Sequence, residues 1–279
     1  MLKPDYSALA PGSARSLLLT VLGELVWPTG EPVWTSSLLY VLKGLGIEEQ
    51  TARQAIARAA SSGWIDAERH GREVRWSLGP VGRRIIEEGA PRVQSMSDPF
   101  SRWDGTWLTL LVMIPQTHRG SRKKLYAGLT WAGFGNPAPG VWVSPHPERS
   151  AEVSDLIDQL DLHTHTMSFV GKVNDVGISD RDIVARGWDL ASLEQHYATV
   201  LKTFSNLRPA PGDEMLLTHV RMISEWQRFP FSDPQLPEIL LPDWIGRRVA
   251  RHIEALRAQW SSDVHARFAE INSENGAEV

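Results

Sequence analysis

The chain has 279 residues, long for one domain, so two or three domains are expected. Its 42% hydrophobic and 22% charged residues are globular material, which excludes a disordered or fibrous chain. With no cysteine and a net charge of −4, it has no disulfide framework, no thiol nucleophile and no overall attraction for polyanions.

Charge distribution says more than net charge. Residues 1–91 hold ten basic and ten acidic side chains, so the rest of the chain carries the whole negative excess. From Gln50 to Ile86, seven arginines stand against Asp66, Glu68 and Glu73. The 12 tryptophans, against only 4 tyrosines, predict several aromatic-anchored cores. The first residues, Met1 to Ser16, contain no apolar leader, and the run Leu17 to Val26 is interrupted by Thr20, Gly23 and Glu24. A cytoplasmic protein with no membrane partner is the expectation.

The first block reads helix, helix, helix, hairpin. Ser13 can cap a helix carrying Leu17, Leu18, Val21, Leu22 and Leu25, which Trp27-Pro28 ends. Thr35 opens a second helix with Leu38, Leu39 and Leu42, stopped by Gly44 and Gly46. Glu48 to Ser61 forms a third, closed by Gly63. Trp64–Arg69 and Glu73–Leu78 are strand-like and flank the turn His70-Gly71-Arg72. Three helices followed by a basic-tipped hairpin is the order of a winged helix-turn-helix.

Breaks fall at Gly89-Ala90-Pro91, Asp98-Pro99, Asn136 to Gly140 and Pro209 to Gly212. Beyond the second, Thr106–Ile114 reads as a strand, Ser121–Trp131 as a helix, Gly140–Ser144 as a short strand, Glu148–Leu160 as a helix and His163–Val173 as a strand. This β-α-β-α-β pattern predicts a ferredoxin-like α/β middle domain. From Asp180 the pattern is helical, with Leu190–Phe204, Asp213–Phe229 and Asp243–Trp260, a proline-rich loop at Phe231–Leu241, and a frayed tail near Asn272. The expected class is α+β and multidomain: residues 1–95 winged helix-turn-helix, 96–179 ferredoxin-like, 180–279 an all-α domain for effector sensing and dimerisation.

On the third helix, Ala52, Ala55, Ile56 and Ala59 share one side. Gln50, Gln54 and Ala57 point the other way, flanked by Thr51 and Arg58 on one edge and Arg53 on the other. Arginine can read guanine and glutamine adenine, and a small alanine lets the helix approach the bases. The plain alternative is a solvated polar face; the hairpin behind it tips the balance to DNA. Arg69, His70, Arg72 and Arg75 lie at or beside the hairpin tip, suited to phosphate or the minor groove. Their alternative role is to guard an exposed strand edge.

Arg119, Arg122, Lys123 and Lys124 open the middle-domain helix. Cations there oppose the helix dipole, so they call for an anion such as an effector phosphate, or else are merely solvated. Ser121 to Lys124 has the Ser-x-x-Lys spacing of an acyltransferase but lacks its companion motifs. His163 and His165 could seat a metal but have no third ligand nearby, and Asp155 with Asp158 reads as a wet helix face. No catalytic residue, metal site or cofactor is assigned.

Four stretches carry a family likeness: SLLLTVLGELVWPTGEPVWTSSLLYVLKGLGI, ARQAIARAASSGWIDAERHGREVRWSL, WDGTWLTLLVMIP with LTWAGFGNPAPGVWVSPHP, and FPFSDPQLPEILLPDWIGRRV. In their order they resemble the PaaX family of repressors of phenylacetic acid catabolism. The resemblance implies a winged helix domain, a middle domain similar to small CRISPR-associated nucleases, and a helical C-terminal domain. It also implies a homodimer that binds a double-stranded operator and is released by an aryl-acetyl-coenzyme A thioester. The family's recognition-helix arginines match Arg53 and Arg58, whereas Gln54, Ala55 and Ala57 depart from its pattern. The nuclease relatives use an acid at the end of their first strand, where this chain has Ile114-Pro115-Gln116. A nuclease or acyl-thioester hydrolase on the middle domain, and a protein-binding winged helix, are the alternatives.

Overall fold

Ser13 accepts a hydrogen bond from the Ser16 amide, which caps helix α1 (Ala14–Val21). The computed structural model describes residues 12–94, 96, 103–174 and 176–274; the readings of residues 1–11 and of the break at Asp98-Pro99 lie outside them. The class is α+β and multidomain, and the chain divides into two units. The first comprises Met1–Gln94, Lys202–Arg228 and Arg251–Val279; the second comprises Ser95–Leu201 and Phe229–Ala250. The residues after 180 are thus shared between both.

In the first unit α1 runs into a π-helical turn, Leu22–Val26, where the Trp27 amide donates to Leu22 O at 2.8 Å. Strand β1 (Val33–Trp34) leads directly into helix α2 (Thr35–Gly44), and helix α3 follows at Glu49–Ser61. Strands β2 (Ile65–His70) and β3 (Glu73–Leu78) form the hairpin, and β1 joins it to give an antiparallel sheet in the order β1-β3-β2. Two residues are too few to alternate, so β1 leaves no periodic trace in the sequence.

Helix α4 (Pro80–Gln94) starts on a proline, which needs no amide partner in a first turn, and continues through Gly89-Ala90-Pro91. The expected break is not there: a proline in the last turn forfeits one backbone bond and the helix absorbs it. Helix α9 (Asp213–Trp226) and the later turns of α10 (Ile245–Glu274) complete this unit. α1 packs on both α3 and α9. Its Leu17, Leu18 and Val21 are buried, as are Leu216, Val220 and Ile223 of α9. α10 does not end at Trp260 but runs on through Asn272 to Glu274, because Val264, Phe268 and Ile271 keep a buried stripe at helical spacing; the tail expected beyond lies outside the described residues.

The second unit is built on strand β4 (Thr106–Val112), helix α5 (Arg122–Trp131), strands β5 (Gly135–Ala138) and β6 (Val141–Ser144), helix α6 (Ser150–Gln159) and strand β7 (Thr166–Lys172). The order is β-α-β-β-α-β, one strand more than expected, in a wholly antiparallel sheet β5-β6-β4-β7. β5 hides in the Asn136-Pro137-Ala138 break because an edge strand with an irregular register tolerates proline. Leu108, Leu110 and Val112 pack with Leu125 and Leu129 of α5 and Val153 and Ile157 of α6 on one face.

On the other face Trp107 and Val143 meet Ile183 and Val184 of helix α7 (Asp180–Gly187), and the Trp107 indole donates to Asp180 at 2.8 Å. His163–His165 forms a 3-10 turn before β7, not the start of a strand. Helix α8 (Leu190–Phe204) brings Tyr197 to Asp233, whose carboxylate also accepts from the Trp244 indole at 2.9 Å and the Gln235 amide at 2.6 Å.

Candidate nucleic-acid interface

α3 owes its amphipathy to three alanines. Ala52, Ala55 and Ala59 are buried with Ile56, and their small side chains seat the helix closely on α1 and α2. The opposite face is solvent-exposed and carries Gln50, Thr51, Arg53, Gln54, Ala57 and Arg58. Gly63 ends the helix at φ +71°, a left-handed conformation that glycine adopts without strain. The Trp64 amide returns to Ala59 O and the Gly63 amide to Ala60 O, both at 2.9 Å, so the last carbonyls are satisfied before the chain enters β2.

The side chains on that face differ in freedom. Arg53 lies 2.8 Å from Glu49 one turn earlier; both are exposed, so the pair contributes only a few tenths of a kcal/mol and yields readily to a ligand. Arg58 has no side-chain partner among the described residues, and only its carbonyl is used, by Ser61.

The hairpin tip is a two-residue turn between the paired His70 and Glu73. Gly71 at its first central position has φ +61°, the pattern of a type II′ turn, which leaves Arg72 at the apex. Arg69 and Arg72 are exposed. His70 and Arg75 are half-buried and turn toward Trp34: the His70 ring meets it edge-on at 5.5 Å, and the Arg75 guanidinium lies 5.0 Å over it. The four basic residues of the hairpin therefore split into two outward and two inward.

Asn272 carried no signal in the sequence, because its partners lie some 240 residues away. Its side-chain oxygen accepts from the Trp34 amide at 3.0 Å and the Ser37 hydroxyl at 3.2 Å, and its amide donates to Pro32 O at 3.1 Å. It clamps the turn that launches α2, and the α2-to-α3 turn is then closed by the Ile47 amide donating to Leu42 O.

In the second unit Arg119, on a 3-10 turn, joins Arg122 and Lys123 of α5 around an open depression of about 860 Å³ with Tyr126 and Asn136–Pro139. Lys124 is exposed on the same turn but does not line it. Asp155 and Asp158 are exposed on α6, and the His165 ring lies 5.6 Å from that of His118. Among the described residues no group of three or more histidine, aspartate or glutamate side chains could hold a metal, and no helix is long and apolar enough to cross a membrane.

Comparison with known proteins places these features in a family of regulators. The PaaX-like protein family matches residues 13–81, the PaaX protein central Cas2-like domain matches 101–184, and the PaaX-like protein C-terminal domain matches 188–270. The transcriptional repressor PaaX of Escherichia coli (strain K12) is 30% identical over 248 residues, which cover 85% of this chain and 77% of the relative. The chain belongs to the PaaX family, whose members are regulators and not enzymes. An uncharacterized protein from Mycobacterium tuberculosis shares the fold, with a TM-score of 0.62 and 21% identity over 93% of this chain and 99% of that one.

Proposed function

We propose that this protein is a cytoplasmic DNA-binding transcriptional repressor of the PaaX type, binding its operator as a homodimer and released by an aryl-acetyl-coenzyme A thioester. The observation that carries the reading is the exposed face of α3 beside the arginine-tipped hairpin. Three helices and a β1-β3-β2 sheet fit a winged helix-turn-helix, with α3 in the major groove. Gln50, Thr51, Gln54 and Arg58 would read base edges and Arg53 would exchange Glu49 for the DNA. Arg69 and Arg72 would hold phosphate, with His70 and Arg75 supporting the hairpin from inside.

The β-α-β-β-α-β order and the sheet order of the second unit fit a ferredoxin-like fold for the middle domain. The three family matches support domain divisions near residues 95 and 180. Self-association is supported by β7, an edge strand whose Met167, Phe169 and Val170 are more than half exposed. Its run Thr166–Gly171 is uncharged, so a second copy could pair with it without like-charge repulsion. For the effector, Arg119, Arg122 and Lys123 converge on one depression and Lys124 adds charge beside it, a setting for coenzyme A phosphates. Effector binding would favour a dimer geometry that cannot span both half-sites.

A gel shift on DNA from upstream of the protein's own gene, titrated with free acids and their coenzyme A esters, tests this. The reading expects a retarded complex that one ester, and not its acid, dissolves. Absence of any sequence-specific complex contradicts it.

A further inference from the structure

The first unit contains a cavity of about 520 Å³ that the DNA-binding and effector roles above do not use. That volume is in the range of small-molecule sites. Its apolar wall comes from Leu25 after α1, Trp34 before α2, and Phe268 and Ala269 on α10. Its polar lining is Thr29, His265, Asn272 and Ser273 together with two side chains of opposite charge, Arg75 on β3 and Glu31 in the loop before β1.

These two charges are not paired with each other or with any other charged residue among those described. The Glu31 side chain is exposed at the rim and makes no hydrogen bond. Arg75 is half-buried, makes one long 3.4 Å contact to Pro32 O, and has its Nε fully enclosed with no acceptor. The enclosed Nε is out of a ligand's reach, but the guanidinium stacks on the Trp34 indole, lines the cavity and has no carboxylate partner, so its remaining N–H groups can take a ligand oxygen. The wall is held in place beforehand, since Asn272 fixes the Trp34 backbone.

We propose that this cavity binds a free α-amino acid with a large apolar, preferably aromatic, side chain. Its carboxylate would meet Arg75, its ammonium Glu31, and its side chain the Trp34–Phe268 wall. A cation and an anion beside an apolar cavity discriminate against both simple acids and simple amines, because each leaves one charge without its partner. Any effect on repression rests on the DNA-binding reading above; the binding itself does not, and it is measured without DNA.

The experiment is ligand-observed NMR or calorimetry on the full chain, with L-phenylalanine and L-tryptophan as probes and phenylacetate, phenethylamine and L-alanine as controls. Saturable binding of an aromatic amino acid is expected, with phenethylamine, which has no carboxylate for Arg75, and L-alanine, which has no side chain for the apolar wall, weaker by about tenfold or more. Phenylacetate should be weaker by a smaller margin, because Glu31 is exposed. Arg75→Met should lose binding, and Glu31→Gln, a rim change that removes no packing, should weaken the amino acid but not phenylacetate. No saturable binding of either amino acid, equal affinity for phenylacetate, or full affinity in a folded Arg75→Met variant overturns the proposal.

Discussion

Arg257 grips Glu24 from 233 residues away in the chain: its Nε donates to one carboxylate oxygen at 2.9 Å and its Nη2 to the other at 2.8 Å. His219 adds a 3.2 Å contact through Nε2, and the His265 Nε2 reaches the Glu24 backbone carbonyl at 2.9 Å. Glu24 sits in the π-helical turn and is buried. Burial raises its pKa, but the hydrogen bonds from His219 and Arg257 and the Arg257 charge outweigh it and keep the carboxyl ionised below its ordinary range. The end of the first helix is thus pinned to α9 and α10 through one carboxylate.

Replacing Glu24 with alanine should destabilise the first unit by about 3 kcal/mol, the low end for a broken buried pair. The low end applies because the Arg257 side chain is 44% exposed and can turn to water. Urea denaturation measures it, and Glu24→Leu combined with Arg257→Met should recover much of the loss. A midpoint unchanged by Glu24→Ala would show that the pair does not hold the helix end.

Acid stability should depend on His146 in the second unit. Burial foremost, with the Arg149 charge, lowers its pKa from 6.5 to about 4, although Glu148 lies 3.2 Å from Nδ1 and opposes the shift. The unfolded chain takes up a proton near pH 6.5 and the folded one only near 4. Lowering the pH across that window therefore favours the unfolded chain, by roughly 2–3 kcal/mol at the bottom of it. His146→Gln should flatten this segment of the stability–pH curve. An equally steep curve in the variant would assign the loss elsewhere.

Much of the first unit was legible in the sequence, and the reasons are local. The faces of α3 follow from one 3.6-residue period written in alanines, and the hairpin from a glycine between two strand-like runs. Glu24 was visible only as an interruption of an apolar run, because its meaning lies in Arg257 and His219, far away in sequence. Asn272 was hidden for the same reason. The length of α10 was present in Val264, Phe268 and Ile271, but the polar Ser261-Ser262-Asp263 between them and Trp260 obscured it. Proline misled twice, at the end of α4 and in β5, where position in the element matters more than residue type.

The Phe-Pro-Phe to Asp-Trp stretch, the most specific part of the family likeness, has a structural role at Asp233. Three donors, Tyr197, Trp244 and the Gln235 amide, converge on this buried carboxylate. Asp233→Ala removes the acceptor that all three share and should cost about 3 kcal/mol or more in denaturation of the second unit. A smaller loss than that of a surface substitution would contradict the hub.

Arg72 and Arg58 should fail differently. Arg72 is assigned to phosphate, so Arg72→Ala should weaken operator and unrelated DNA alike and reduce the salt slope by about one ion. A loss confined to the operator would move Arg72 from gripping to reading.

The most direct measurement is competitive fluorescence anisotropy with the upstream operator and a scrambled duplex, for the wild type and Arg58→Ala. The wild type should prefer the operator, and Arg58→Ala should surrender about 1–3 kcal/mol of that preference with an unchanged unfolding midpoint. A wild type that binds both duplexes equally, or a variant that keeps the full preference, would contradict the assignment of α3 as the element that reads DNA.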